Sequence, residues 1–221
     1  ESELVNTTNK DEIVKDEKYN LFEGVKLLAA NKYYLMICIT YILQQIYGAM
    51  IGMGTYYSIY IFKNENLFGV FSWAINIPLI LALVFTPMLV AKWHGMYKLN
   101  VISYSLATFS RLLVAVAGFI GASGNIPLML IFTAIAAFGQ GPWQGDMNAV
   151  IAACSEYTWL TQHKRVDGTM YSCTSLGVKL GGGIGIAITG WLLSASHFDG
   201  SLAVQPDSCI AMLKIMYLIL P

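Results

Sequence analysis

After Lys32 no charged residue appears until Lys63, a run of 30 residues. As helix that run measures about 45 Å, against a hydrocarbon core of about 30 Å. One tilted helix crosses, which predicts a first span over about 32–62. Glu65 and Lys92 enclose a second uncharged run, predicting a span at 67–92. Residues 99–121 make a third, interrupted only by Arg111, and the break GASGNIP separates it from a fourth at 126–154. A fifth covers 167–194, and a sixth, 209–221, is incomplete: it runs roughly a dozen residues, too few to cross. The pattern predicts an all-α membrane protein, and the abrupt start and end are read as those of an internal piece of a longer chain.

Residues 1–31 read differently. They are polar and charge-mixed as far as Tyr19, and then Asn20 with Glu23 forms a capping-box pattern. Leu21, Phe22, Val25, Leu28 and Ala29 fall on one face of the short helix that follows, which suits either a membrane surface or an ordinary entry helix.

Composition agrees with the spans. The chain is 56% hydrophobic and 12% charged, about half the usual charged share. Thirteen basic residues balance thirteen acidic ones, so net charge points to no nucleic-acid partner; lipid is the expected surroundings. Placing residues 1–31 in the cytoplasm puts Lys92, Lys98, Lys164 and Arg165 on that side and leaves Lys63 and Lys214 on the other, the arrangement the positive-inside rule selects. A multi-pass protein of the cell membrane with a cytoplasmic N-terminal segment is expected. Cys38, Cys154, Cys173 and Cys209 show no metal-ligand spacing and are read as free thiols; no metal and no cofactor is expected. His94, His163 and His197 are too dispersed for one catalytic site, so an enzyme is not expected.

Polar residues inside the spans carry the functional reading. Tyr41, Gln44, Gln45, Gly48, Gly52 and Thr55 recur at three- and four-residue steps, making one polar or small face on the first span. Such a face lines a wet cavity or packs closely against neighbouring helices. Asn76, Pro78 and Pro87 loosen the second span. Gln140, Trp143 and Gln144 share a face of the fourth, with Asp146 about 60° from Trp143. Asp146 and Arg111 either neutralise each other or leave Asp146 for a substrate or proton.

Lys179 stands inside the stretch SCTSLGVKLGGGIGIAITGWLL, residues 172–193. With Gly177 at zero on a helical wheel, Gly181 and Gly185 fall at about 40° and 80°, a small-residue stripe for close contact, whereas Lys179 falls at about 200° near Ser172 and Ser175. A phosphate loop needs GxxxxGK followed by Ser or Thr after a strand; Leu180 follows the lysine and no strand precedes it. Snorkelling to the interface and a structural salt bridge are the competing readings. The favoured one is a cationic donor facing an aqueous cavity, able to bond substrate hydroxyls.

The stretch GQGPWQGDMNAVIAACSEYTWLTQHKRVDGTMYSCTSLGVKLGGGIGIAITGWLL resembles the glycoside-pentoside-hexuronide:cation symporters, the melibiose-carrier family of the major facilitator superfamily. Glu156, Tyr157, Arg165, Asp167, Gly168, Tyr171, Ser172 and Lys179 fill that family's places through its tenth and eleventh helices. Weaker echoes are NKYYL, TYYSIY, NENLFG and LKIMYLILP. The resemblance implies the C-terminal six-helix bundle of a major facilitator fold, with residues 1–31 as the cytoplasmic link from a missing N-terminal half. It implies symport of a sugar or glycoside with Na⁺ or H⁺. Tyr41, Gln44, Gln45, Gln140, Trp143, Gln144, Ser175 and Lys179 would contribute to the substrate site, and Glu156, Tyr157, Arg165 and Asp167 to a cytoplasmic gate. Ala152 and Ala153 stand where the family carries an Ala-Asp pair, and Asp146 stands where many relatives are apolar, a candidate replacement. A lipid or drug carrier of the same superfamily, or a channel or structural membrane subunit, are the alternatives.

Overall fold

The computed structural model describes residues 21–93, 95–121, 125–162, 167–202 and 204–221. Helix α1 (Leu21–Ala30) leads into α2 (Lys32–Gly52) and α3 (Gly54–Tyr60). There follow α4 (Asn66–Trp93), α5 (Met96–Gly121), α6 (Ile126–Gln162), α7 (Asp167–Ala195) and α8 (Asp207–Lys214), the last continued by a π-helical turn at Ile215–Ile219. No strand occurs among the described residues.

Five helical stretches are long and apolar enough to cross a membrane: Lys32–Tyr60, Asn66–Trp93, Met96–Gly121, Ile126–Thr161 and Asp167–Ala195. Large apolar side chains cover their outward faces, among them Trp73, Met88, Ile120, Ile186 and Trp191, each about 70% exposed or more. In water such a surface would aggregate; in a bilayer it meets lipid tails.

Local chemistry explains the breaks. Asn31 caps α2, its Oδ1 accepting from the backbone N–H groups of Tyr33 and Tyr34 at 3.0 and 3.2 Å. Its Nδ2 donates to Thr158 Oγ1 on α6 at 2.9 Å, so the cap also ties the α1–α2 junction to the far end of α6. The first span is interrupted at Met53. There Gly54 sits against the Tyr217 ring, where an added Cβ would come within 2.9 Å of Cε2. Helix α4 runs unbroken through Pro78 and Pro87 despite their missing N–H groups. Helix α6 extends to Gln162, beyond the end of the span expected at 126–154, so Glu156 and Tyr157 are helical.

Helices α4, α5 and α6 pack through glycines on α6. Gly139 lies on Ser103 and Ala107 of α5, Gly141 on Ala82 and Gly145 on Thr86 of α4. Helix α7 packs on α2 in the same way, Gly181 against Ile42 and Gln45, Gly185 against Ile46 and Ala49. The expected stripe is therefore real at two of its positions, while Gly177 meets nothing within 4 Å. Two apolar clusters close the bundle's ends. Leu28, Tyr34, Ile37, Met147, Ile151, Cys154 and Met170 gather where α1, α2, α6 and α7 meet. Tyr57, Phe71, Val114, Ala117, Met129, Tyr217 and Leu218 gather at the opposite end.

Candidate functional site

The polar residues predicted to act together divide between two faces of α2. Gln44 turns toward α6, its Oε1 accepting from Trp143 Nε1 at 3.2 Å, and one turn on Tyr47 Oη accepts from Gln140 Nε2 at 2.6 Å. Tyr104 meets the Trp143 ring edge to face at 5.8 Å. These groups border a groove walled by α2, α5 and α6 that holds a cavity of about 540 Å³, lined among others by Gln44, Tyr47, Arg111 and Gln140. A second cavity, about 570 Å³, continues it past Asn100, Tyr104 and Trp143. The polar groups here are already bonded to one another, so the groove's chemistry is mostly that of a staple between helices.

The other face is open. Tyr41, Gly48 and Gly52 fall within about 40° of one another on α2, and a Cβ added at either glycine would meet nothing within 4 Å. Tyr171 of α7 lies close enough to Tyr41 for the two phenols to interact electrostatically. The Tyr171 hydroxyl donates to the Asn148 carbonyl of α6 at 3.3 Å, marking the side on which α6 and α7 face each other. Gln144, one turn before Asn148, projects on that side and is exposed. Around α7, Tyr171, Ser175 and Lys179 lie at about 60°, 100° and 140° from the stripe packed on α2. Ser175 and Lys179 are exposed, Ser175 Oγ donating to the Tyr171 carbonyl at 3.0 Å. Gln144 and Lys179 have no hydrogen-bond partner among the described residues.

Depth unites these positions. The centre of Asp167–Ala195 is residue 181, that of Ile126–Thr161 falls between Trp143 and Gln144, and that of Lys32–Tyr60 is Ile46. Lys179 is two residues from its centre, about 3 Å at 1.5 Å per residue. Gln44, Gln45, Trp143, Gln144 and Lys179 thus form one layer at mid-span, with Gln45 pressed against Gly181.

Three groups of expected site residues are placed by these contacts. The six polar or small positions on the first span do not share one environment: Gln44 meets α6, Gln45 meets α7, Tyr41, Gly48 and Gly52 border the open face, and Thr55 belongs to α3. Lys179 lines neither cavity; it stands on the back of α7, away from α2. Arg111 and Asp146 do not neutralise each other. Arg111, 8% exposed, donates from Nη2 to the Tyr217 carbonyl at 2.6 Å and lies 5.2 Å from the Tyr217 ring centroid. Asp146, 6% exposed, sits beside Asn100, 11 residues or about 16 Å of helix from Arg111.

At the end of the bundle where α6 and α7 meet, the Ser155 hydroxyl donates to Asp167 Oδ1, joining the two helices. Glu156 and Tyr157 are exposed, the Tyr157 ring meeting Tyr33 edge to face at 5.1 Å. Arg165 lies outside the described residues. Among the described residues no cluster of three His, Cys, Asp or Glu side chains could hold a metal, and Cys38, Cys154 and Cys209 are not in disulfides. Tyr47, Asn100, Ser155 and Tyr171 were not among the predicted site residues. Tyr47 had a sequence signal, standing one helical turn after Gln44, whereas the roles of Asn100 and Ser155 depend on the register between helices.

Apolar helices of membrane length around a mid-depth polar layer are the architecture of a multi-pass transport protein. The chain belongs to the MFS/sugar transport protein family, whose model matches residues 2–221. Its curated relatives include the putative glycoside/cation symporter YagG of Escherichia coli K12, 33% identical over 58 residues, 26% of this chain and 13% of that protein. Another is the isoprimeverose transporter of Lactiplantibacillus pentosus, 26% identical over 169 residues, 74% of this chain and 34% of that protein. The chain thus covers about a third of one relative's length and 13% of the other's. The relatives are transporters, not enzymes.

Proposed function

We propose that the chain is the C-terminal half of a glycoside:cation symporter of the cell membrane, working by alternating access with residues 1–31 on the cytoplasmic side. Lys179 and Gln144, the unbonded members of the mid-span layer, carry this reading, because carriers of this architecture bind substrate near the bilayer midplane between two rocking halves. Lys179 and Gln144 offer unused donors and an amide acceptor at that depth, which suits sugar hydroxyls. Tyr41 and Tyr171 add aromatic surface for the apolar face of a sugar ring. The back of α7, bare in this half, would then be turned toward the N-terminal half, and the lysine would look into the water between them. Na⁺ or H⁺ would couple the movement. The membership in a sugar transport family and the names of the two relatives support a glycoside as substrate.

Uptake of a panel of radiolabelled glycosides by the full-length protein, with and without Na⁺ and at two pH values, tests the reading. Lys179→Leu is expected to lower accumulation at least tenfold without loss of protein from the membrane. Full accumulation in that variant would remove the lysine from the site.

A further inference from the structure

At mid-span both α6 and α7 are joined to α2, by joints of different kinds. With Tyr41 at zero on a helical wheel of α2, Gly48 and Gly52 fall at about −20° and +20° and border the open face. Ile42, Gln45, Ile46 and Ala49, which meet the glycines of α7, fall between about 40° and 140°. Gln44 and Tyr47, which bond to α6, fall at about −60° and −120°. The open face is therefore a cleft with α2 as its floor, α7 as one wall and α6 as the other. Lys179 stands on the first wall and Gln144 on the second, both exposed. Among the described residues no hydrogen bond joins α6 to α7 at that depth; the one from Tyr171 to the Asn148 carbonyl lies about two turns nearer the start of α7. The gap between Gln144 and Lys179 is thus set through α2.

The joint to α7 is close-packed. A Cβ added at Gly181 would come within 3.0 Å of Ile42 Cα, and one at Gly185 within 2.9 Å of Ala49 Cβ, so the two helices have one distance of approach. The joint to α6 carries two side-chain hydrogen bonds instead, Trp143 Nε1 donating to Gln44 Oε1 at 3.2 Å and Gln140 Nε2 to Tyr47 Oη at 2.6 Å. Space lies beside both bonds: Gln44, Tyr47 and Gln140 line the cavity of about 540 Å³, and Trp143 lines that of about 570 Å³. Polar bonds across a loosely filled seam hold helices at a set distance and roll that packing alone does not impose. Gln144 follows Gln140 by one turn and about 40°, so it takes its direction from the roll those bonds fix.

We propose that Tyr47 and Gln140, together with Gln44 and Trp143, are positioning residues: they act through Gln144, holding it at a fixed distance from Lys179 and so setting the width of the cleft that a sugar enters. This part rests on the symport reading above. It moves Gln44, Gln140 and Trp143 from contact with the sugar to control of the groups that make that contact, and it adds Tyr47 to them.

Tyr47→Phe keeps the ring and removes the acceptor, and Gln140→Leu removes the donor at similar size. In the full-length protein in liposomes, each variant is expected to raise KM for a transported glycoside about fivefold while Vmax falls less than about twofold, and the double variant is expected to match the worse single one, because both changes delete one bond. Spin labels on cysteines at Ile131 of α6 and Ile186 of α7, both exposed, read the gap by double electron–electron resonance once Cys38, Cys154, Cys173 and Cys209 are replaced. The distance distribution is expected to broaden or shift in each variant. Unchanged KM and unchanged distances in both variants, with or without a lowered melting temperature, overturn the positioning role and leave the bond a purely structural one. A wild-type protein that moves no glycoside overturns the symport reading alone, while the label distances still decide whether the bond holds α6 in place.

Discussion

Helices α6 and α7 are built from similar material and are used in opposite ways. Both are long and apolar, and both pack through glycines. Helix α6 is gripped on two sides, by α5 at Gly139 and by α4 at Gly141 and Gly145. The α7 glycines that meet a neighbour, Gly181 and Gly185, both meet α2, and the back of α7 carries Ser175 and Lys179 into the open. The difference separates scaffold from working surface. Where glycines face a neighbour they let backbones close to van der Waals contact, and where they face nothing they leave space beside polar groups.

Changing the glycines breaks the comparison at its strongest point first. Gly141→Val would drive a side chain into Ala82, whose backbone lies 3.2 Å from the added Cβ, so α4 and α6 must move apart. A loss of about 1–3 kcal/mol is expected, read as a lowered melting temperature and poor recovery of folded protein in detergent; unchanged stability would mean that the α4–α6 contact differs from the one described.

Gly181→Ala meets Ile42 Cα at 3.0 Å and Gln45 Cβ at 3.1 Å, a milder conflict because Gln45 can yield. About 1 kcal/mol is expected, whereas Gly183→Ala on the bare side, with nothing within 4 Å, should cost nothing in the same melting assay. Equal effects of the two would erase the distinction between the faces of α7.

The smallest effect falls outside the membrane, in the turn between α7 and α8. The Ser201 hydroxyl and then its backbone N–H hold Asp199 below the ordinary carboxylate range, at 2.7 and 2.9 Å. A lowered value in the folded turn means its order is complete above that range and fades as pH falls through the folded value. Amide exchange at Ser201 should therefore speed up in acid, and Ser201→Ala should move the onset to higher pH. An onset that stays put would show that the hydroxyl does not hold the carboxylate.

Much of this architecture was legible in the charge pattern, since a helix that crosses lipid cannot carry many unpaired charges. Runs with no interior charge, or only one, predicted all five long helices. The fourth span was expected to end at 154, whereas the helix that contains it runs on to Gln162. A helix leaving the membrane can keep a charged outer face while Cys154 and Thr158 stay buried on the inner one. The wheel correctly put Lys179 away from the Gly181–Gly185 contact, because period alone decides which face a residue occupies. Partners across helices were another matter. Arg111 and Asp146 seemed natural mates at similar depth, but the vertical register of α5 on α6 follows from how Gly139 seats on Ser103 and Ala107, and it brings Asn100 to Asp146 instead.

Whether the back of α7 is wet is the claim on which the transport reading stands. A single cysteine at Lys179 of the full-length protein, with Cys38, Cys154, Cys173 and Cys209 replaced, can be probed in intact membranes with a charged, membrane-impermeant thiol reagent. Rapid modification slowed by a transported glycoside is the result predicted here. Modification only by an apolar, lipid-partitioning maleimide, indifferent to sugar, would place the position against acyl chains and contradict the account.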